Sequence, residues 1–177
     1  MENLKVLVVE DDEFTRFTLS ATLKSKNFEV IAEAKNAGEA MTKAKLNKPD
    51  VALLDLDLGA GPTGIDLSLV LRRTFPNIGI VFLTSYKDPR LLRSSLPDLP
   101  VGSIFLVKQD VNNPDVLDLK IRESAMFKSI NAKEAPKIES DFTDSQIETL
   151  KLLAQGLSNS EIARRRFVTE KAVEVTI

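Results

Sequence analysis

Short apolar runs alternate with amphipathic stretches through the first 130 residues of the chain. Five of these runs are apolar almost throughout, as expected for strands of a parallel sheet that is covered on both faces. They lie near residues 4–9, 28–34, 50–55, 78–83 and 103–107. Helical spacing predicts helices near residues 13–26, 36–47, 64–74, 88–95 and 113–129. The alternation of strands and helices predicts a doubly wound α/β fold.

The pattern changes after this region. Residues 131–141 are polar, contain one proline and show no clear period, which is typical of a linker. Residues 142–177 have only helical patterns. We therefore predict a domain over residues 1–130, a linker and a small all-α segment.

Capping signals divide the C-terminal segment into three helices. Thr143 with Gln146 matches a capping box, and Gly156 marks the end of the first helix. Ser158 or Asn159 can cap a second helix, which runs to about residue 166, and Thr169 can cap a third. Two short helices joined by a brief turn are typical of a helix-turn-helix.

The composition limits the available chemistry. The chain has no cysteine and no histidine, which excludes disulfides, thiolate nucleophiles, histidine-based triads and the usual zinc ligands. A net charge of −2 does not by itself suggest a nucleic-acid-binding protein. The apolar runs are far shorter than the about 20 residues of a membrane span, and no signal-peptide pattern is present, so we predict a cytoplasmic protein without membrane contact.

Polar side chains stand at the ends of four predicted strands. Asp11 and Asp12 follow the first strand, Asp55 ends the third, Thr84 follows the fourth and Lys108 follows the fifth. Parallel strands place their carboxyl ends at one edge of the sheet, where ligands of open α/β sheets bind. Each residue alone has a simpler explanation, such as helix capping by the acidic pair. Their joint position favours a site for a divalent cation and a phosphoryl group.

Residues 1–130 resemble the receiver domain of bacterial two-component response regulators. Four stretches carry the resemblance: Val8-Val9-Glu10-Asp11-Asp12, Pro49-Asp50-Val51-Ala52-Leu53-Leu54-Asp55, Phe82-Leu83-Thr84-Ser85 and Phe105-Leu106-Val107-Lys108. The resemblance implies a flavodoxin-like sheet of five parallel strands in the order 2-1-3-4-5. It also implies a sensor histidine kinase as partner, a homodimer on activation, and no enzymatic activity other than self-phosphorylation from a donor and self-dephosphorylation.

The same resemblance assigns a role to each acid of the site. It implies that Asp55 is the phosphoacceptor, and that Asp11 and Asp12 bind Mg²⁺ or Mn²⁺ together with Asp55. The backbone carbonyl of Asp57 is implied as a further metal ligand.

The remaining positions implied by the resemblance concern the switch and its lifetime. Thr84 and Lys108 are expected to bind the phosphoryl group, and Phe105 matches the aromatic switch position. Asp57 and Tyr86 match two positions that flank the site, and we expect them to set the rate of dephosphorylation.

The C-terminal helices resemble the LuxR-type helix-turn-helix domain, with Gly156-Leu157-Ser158-Asn159 as the most specific run. The resemblance implies that the third helix is a recognition helix, which enters the major groove of promoter DNA in the full-length protein. Lys171, Glu174 and Thr176 are expected to face the DNA.

Two features lead us to expect weak DNA binding. Residues 141–177 carry six acids and five bases, a net charge of −1, whereas phosphate contacts normally need a basic face. The chain also ends at Ile177, within the expected recognition helix, so we expect an incomplete domain.

Two alternatives to a phosphorylation-controlled regulator stay open at this point. Asp55 and Asp57 also fit the strand-D-x-D motif of haloacid-dehalogenase-like phosphatases, although those enzymes place the acidic pair last rather than first. A receiver that works as an interaction module without phosphorylation is the second alternative.

Overall fold

The computed structural model describes residues 3–85, 99–126 and 143–176. Within them, five parallel strands form one sheet in the order β2-β1-β3-β4-β5, as the resemblance implied. The strands are β1 (Lys5–Val9), β2 (Glu29–Ala34), β3 (Val51–Asp55), β4 (Gly79–Thr84) and β5 (Ile104–Val107). All five predicted strands are therefore confirmed, and so is the α/β fold class.

In the part of the chain that the structure describes, four α-helices accompany the sheet. They are α1 (Glu13–Ser25), α2 (Ala37–Asn47), α3 (Gly64–Thr74) and α4 (Pro114–Ala125), and α4 is preceded by a 3₁₀ turn over Asp110–Asn112. The helix predicted near 88–95 and the last residues of the one predicted over 113–129 lie outside the described residues.

The two faces of the sheet are covered by different helices. On one face, Leu19 and Leu23 of α1 and Leu117 of α4 pack against alternate strand residues such as Val8 and Leu53. Because successive strand residues point to opposite faces, the intervening residues point away from α1 and α4. β3 and β4 are buried along their whole length, as the nearly unbroken apolar runs predicted.

The C-terminal segment forms a separate compact unit of three helices, α5 (Asp144–Ala154), α6 (Asn159–Arg166) and α7 (Glu170–Thr176). The predicted capping box at Thr143 is present, and Ser158 caps α6 with a second one. Leu152, Ile162 and Val173 contribute to a small core among the three helices. The predicted limits of the linker fall on residues that the structure does not describe, so the domain boundaries stay predictions.

Candidate functional site

Three carboxylates meet at the carboxyl edge of the sheet. Glu10 directly follows β1, Asp11 comes next, and Asp55 is the last residue of β3. One carboxylate oxygen from each of them lies within 4.8 Å of the other two. Glu10 is fully buried and Asp55 is 5% exposed, whereas Asp11 is open to solvent. The cluster therefore has a buried side and an accessible side.

Lys108 is the cation of this site. It follows β5, and its ammonium donates hydrogen bonds to Asp55 Oδ2 and to Glu10 Oε1, both at 2.9 Å. Burial by itself lowers the pKa of Lys108, but the hydrogen bonds to the two carboxylates outweigh it and raise its pKa above the usual value. One permanently charged ammonium thus faces two acids.

The pKa of Glu10 is strongly raised in this cluster. Burial raises the pKa of its carboxyl to about 7, and the neighbouring Asp55 carboxylate acts in the same direction, against the opposing effect of Lys108. Crowded, desolvated carboxylates of this kind are stabilised by a bound cation, since it removes their mutual repulsion. The cluster has the ligand chemistry of a hard divalent ion, which prefers oxygen atoms.

Asp12 was expected in the metal site, but the structure does not bring it into the cluster. Its Oδ1 accepts a hydrogen bond from the Thr15 N–H at 2.7 Å and caps α1. The hydrogen bonds from the side chain and backbone of Thr15 lower the pKa of the Asp12 carboxyl. Glu10, rather than Asp12, lies in the cluster at the edge of the sheet. β1 ends at Val9 and Asp12 caps α1, so only Glu10 and Asp11 lie between the strand and the cap.

Asp57 is exposed and turns toward the loop that follows it. Its Oδ1 accepts a hydrogen bond from the Gly59 N–H at 3.2 Å, and its own N–H donates to Asp55 Oδ1 at 3.3 Å. The loop passes close to the metal-binding candidates, since a Cβ at Gly59 would lie 3.6 Å from Asp11 Oδ2. The expected roles of Asp57 as a carbonyl ligand and as a rate-tuning residue stay predictions.

The start of α3 fixes the backbone of Asp55. A Cβ built on Gly64 would lie 1.9 Å from the Asp55 carbonyl oxygen, so no other residue type fits there without displacement of the chain. Thr63 caps the helix at the same point by accepting a hydrogen bond from the Asp66 N–H. The loop after β3 therefore returns to touch the residue at which it began.

The expected switch residues lie on β4 and β5. Thr84 is buried at the end of β4, and its carbonyl accepts a hydrogen bond from the Lys108 N–H at 2.8 Å. The half-buried Phe105 ring stacks on Phe82, with 5.0 Å between centroids and 25° between planes. Tyr86 lies outside the described residues. The structure thus brings Lys108 into contact with the cluster, links Thr84 to Lys108 through the backbone, and places Phe105 on β5 opposite Phe82 of β4.

The expected DNA-facing residues lie on α7. Lys171 and Glu174 are exposed, and Thr176 is the last residue of that helix. Two further basic side chains, Arg164 and Arg165, are exposed in the last turn of α6, directly before the turn to α7. Sequence analysis gave these two arginines no role, although their position in a helix-turn-helix could have suggested one.

A parallel sheet of this order, with an acidic cluster and a lysine at its carboxyl edge, defines the class of receiver-like α/β domains. Comparison with protein families gives the same result, because the model of the response regulator receiver domain matches residues 6–99. The chain belongs to the response regulator family. This family is regulatory rather than catalytic, which decides against the phosphatase alternative.

Curated relatives match almost the whole chain. The transcriptional regulatory protein LnrK of Bacillus subtilis is 27% identical over 190 residues, which cover 97% of this chain and 86% of the relative. The DNA-binding transcriptional activator DevR/DosR of Mycobacterium tuberculosis is 32% identical over 184 residues, with 97% and 83% covered. The response regulator protein VraR of Staphylococcus saprophyticus is 30% identical, with 98% and 87% covered.

Solved structures support the fold. A structure of two RcsB dimers bound to two parallel DNAs matches 99% of this chain and 88% of its own, with a TM-score of 0.60 and 21% identity. The signal receiver domain of a modulated diguanylate cyclase from Desulfovibrio desulfuricans matches 70% of this chain and 94% of its own. The TM-score is 0.57 and the sequence identity is 27%. Among the described helices, none has the length and apolar character needed to cross a membrane.

Proposed function

We propose that this chain is a transcription regulator controlled by phosphorylation of Asp55. The observation that carries the proposal is the joint contact of Lys108 with Asp55 and Glu10, beside the exposed Asp11. This arrangement offers a nucleophilic carboxylate, a cation for the incoming charge and two more acids for a metal ion. No other described group of acids in the chain has three members this close together.

The metal-binding residues in this proposal are Glu10, Asp11 and Asp55, with the backbone carbonyl of Asp57 as a further ligand. The donors are all oxygen atoms, which suits Mg²⁺ or Mn²⁺. When bound, such an ion supplies positive charge against the phosphoryl oxygens. The two carboxylates that are not phosphorylated would keep the ion at the open side of the cluster, where Asp11 is exposed.

Phosphorylation requires one bond to form and one to break. An Asp55 carboxylate oxygen attacks the phosphorus of the donor, and the bond between phosphorus and the donor's leaving group breaks. The Lys108 ammonium, released from the Asp55 carboxylate oxygen, then pairs with a phosphoryl oxygen. The Thr84 hydroxyl donates a hydrogen bond to a second one. We propose a sensor histidine kinase as the physiological donor.

The proposed output is a change at the β4–β5 end of the sheet. A phosphoryl group adds about −1.5 to −2 charges, which attracts Thr84 toward the site. The space left by Thr84 allows Phe105 to leave its stacked position on Phe82 and turn inward. The local change of charge thus shifts Phe105 between its stacked and its inward arrangement. The surface altered by this shift would promote homodimer formation.

The proposed target of the output is promoter DNA, bound by α6 and α7. The names of relatives support this, since DevR/DosR is described as a DNA-binding transcriptional activator and the RcsB dimers were solved on DNA. Lys171, Glu174 and Thr176 on α7 are the proposed base-reading residues. Arg164 and Arg165 on α6 add positive charge that can contact phosphates.

The experiment that tests this proposal is phosphoryl labelling with acetyl phosphate and Mg²⁺, followed by intact-protein mass measurement and by gel filtration. We expect the wild-type chain to gain one phosphoryl group and Asp55→Ala to gain none. Asp57→Asn, which alters the nearest acid but keeps the nucleophile, should still be labelled. Equal labelling of Asp55→Ala, or no labelling of the wild type, would overturn the proposal, and the second result would favour a module that works without phosphorylation.

A further inference from the structure

Three consecutive arginines end α6, and the structure separates them. Arg164 and Arg165 are exposed, whereas the side chain of Arg166 is only 10% exposed. It turns away from solvent and back onto α5. A basic run at the end of the second helix of a helix-turn-helix suggests three equivalent DNA contacts, but Arg166 points to a different partner.

The Arg166 guanidinium contacts three side chains of α5. Its Nε donates to Glu148 Oε2 at 3.2 Å, its Nη2 donates to Ser145 Oγ at 2.7 Å, and its Nη1 donates to Thr149 Oγ1. Thr149 is fully buried. Because residues three and four positions apart share a helix face, one planar guanidinium can reach all three acceptors at once.

The residue after Arg166 carries the turn between the two helices. Phe167 has φ 55° and ψ 41°, the left-handed conformation, which is unfavourable for a residue with a Cβ. Its side chain is 97% exposed, so packing of the ring does not compensate. The Val168 N–H donates to the Ala163 carbonyl at 3.0 Å and closes the turn. Arg166, the last residue of α6, therefore lies directly before this strained position and is hydrogen-bonded to α5.

We propose that Arg166 is a positioning residue that holds the α6–α7 turn against α5 and thereby sets the direction in which α7 leaves the turn. It acts through Phe167 and Val168 and does not contact DNA. The consequence for DNA recognition rests on the function proposed above for α6 and α7. The anchoring itself does not depend on that function, and the two can be tested separately.

The first test is hydrogen exchange of the Val168 amide in the full chain, because this amide reports closure of the turn. We expect Arg166→Met to speed its exchange by about tenfold, the effect of losing roughly one net hydrogen-bonded contact. Ser145→Ala keeps the arginine charge but removes one acceptor, and it should speed exchange by a smaller factor. Arg165→Met, which changes the exposed neighbour, should leave it unchanged. If the Val168 amide exchanges at the wild-type rate in both Arg166→Met and Ser145→Ala, the proposal is overturned.

The second test is the salt dependence of binding to mixed-sequence duplex DNA, alongside binding to duplexes enriched from a random library. An arginine that contacts phosphate contributes about 0.9 to the slope of log K against log salt. We expect Arg165→Met to lower the slope by about that amount. Arg166→Met should weaken selective binding and leave the slope unchanged, and a lowered slope would show that Arg166 contacts DNA and overturn its assignment. Absence of DNA binding by the wild type would count against the proposed function, while the exchange measurement still decides on the anchor.

Discussion

Lys108 and Asp55 form an ion pair of 2.9 Å at the edge of the sheet, and the same ammonium also binds the buried Glu10. The resting site therefore contains an internal cation that compensates two carboxylates. Its two acidic partners are almost fully buried, while Lys108 itself is 25% exposed at the side chain. An ion pair of this kind differs from a surface pair because neither acid can be solvated by a small rotation.

Removal of this cation should destabilise the metal-free protein. Lys108→Met leaves Glu10 and Asp55 facing one another without compensation, and we expect a loss of about 3 kcal/mol in the free energy of unfolding. Added Mg²⁺ should stabilise this variant more than the wild type, since the ion then supplies the missing charge. Urea unfolding with and without Mg²⁺ measures both effects. As a control, Lys26→Met breaks the more exposed pair with Asp115 and should cost less than about 1 kcal/mol.

The geometry predicts which acids bind the metal ion. Glu10→Gln and Asp11→Asn should each weaken Mg²⁺ binding by more than about tenfold, because each replaces a carboxylate ligand with a neutral amide. Asp12→Ala should leave the affinity unchanged and instead cost about 1 kcal/mol of stability through loss of the α1 cap. Calorimetric titration with Mg²⁺ and urea unfolding separate the two effects. A tenfold loss of Mg²⁺ affinity in Asp12→Ala would contradict this prediction and show that Asp12 binds the metal ion.

The contact between Gly64 and Asp55 predicts a sharp effect of a single methyl group. Gly64→Ala places a Cβ against the Asp55 carbonyl, so the backbone at the end of β3 must shift. We expect a loss of about 2 kcal/mol or more in stability and slower phosphoryl labelling from acetyl phosphate. Gly38→Ala in α2 is the matched control, since its Cβ meets nothing closer than Asn36 Oδ1 at 3.6 Å. That change should be neutral or stabilising, and equal behaviour of the two variants would contradict the prediction.

The stacked pair Phe82 and Phe105 predicts a change in the switch. Phe82→Leu removes the stacking partner, and we expect a loss of about 1.5 kcal/mol in stability together with greater freedom of the Phe105 ring before phosphorylation. The change in Phe105 chemical shift on phosphorylation should then be smaller, which NMR with labelled phenylalanine can measure. Phe28→Leu alters a similarly buried ring beneath Arg122 in the core formed with α1 and α4. It should lower stability and leave the Phe105 response as in the wild type.

Much of the receiver-like fold could be predicted because its strands are nearly unbroken apolar runs that end at polar residues. The same property located the site, since a strand end in a parallel sheet has a known position. The strand-end positions of Asp55, Thr84 and Lys108 were predicted in this way and agree with the structure, while their roles stay predictions.

The acids expected beside Asp55 were Asp11 and Asp12, whereas the structure brings Glu10 and Asp11 there, a shift of one position along the chain. Residues 10–13 are all acidic, so residue type could not show where β1 ends and α1 begins. The answer depended on which carboxylate caps the helix, a local hydrogen bond that composition does not reveal. The side-chain direction of Arg166 was equally hidden, because it depends on how α5 and α6 pack.

The backbone hydrogen bond from Lys108 to the Thr84 carbonyl has a consequence for ligand size. It ties the two residues expected to touch the phosphoryl group into one stretch of the sheet, so the distance between their backbones is fixed at 2.8 Å from N to O. The backbones from which the Thr84 hydroxyl and the Lys108 ammonium extend are therefore held side by side. Asp55 should therefore accept tetrahedral groups of phosphoryl size, such as beryllium trifluoride, and discriminate against groups large enough to require β4 and β5 to spread apart.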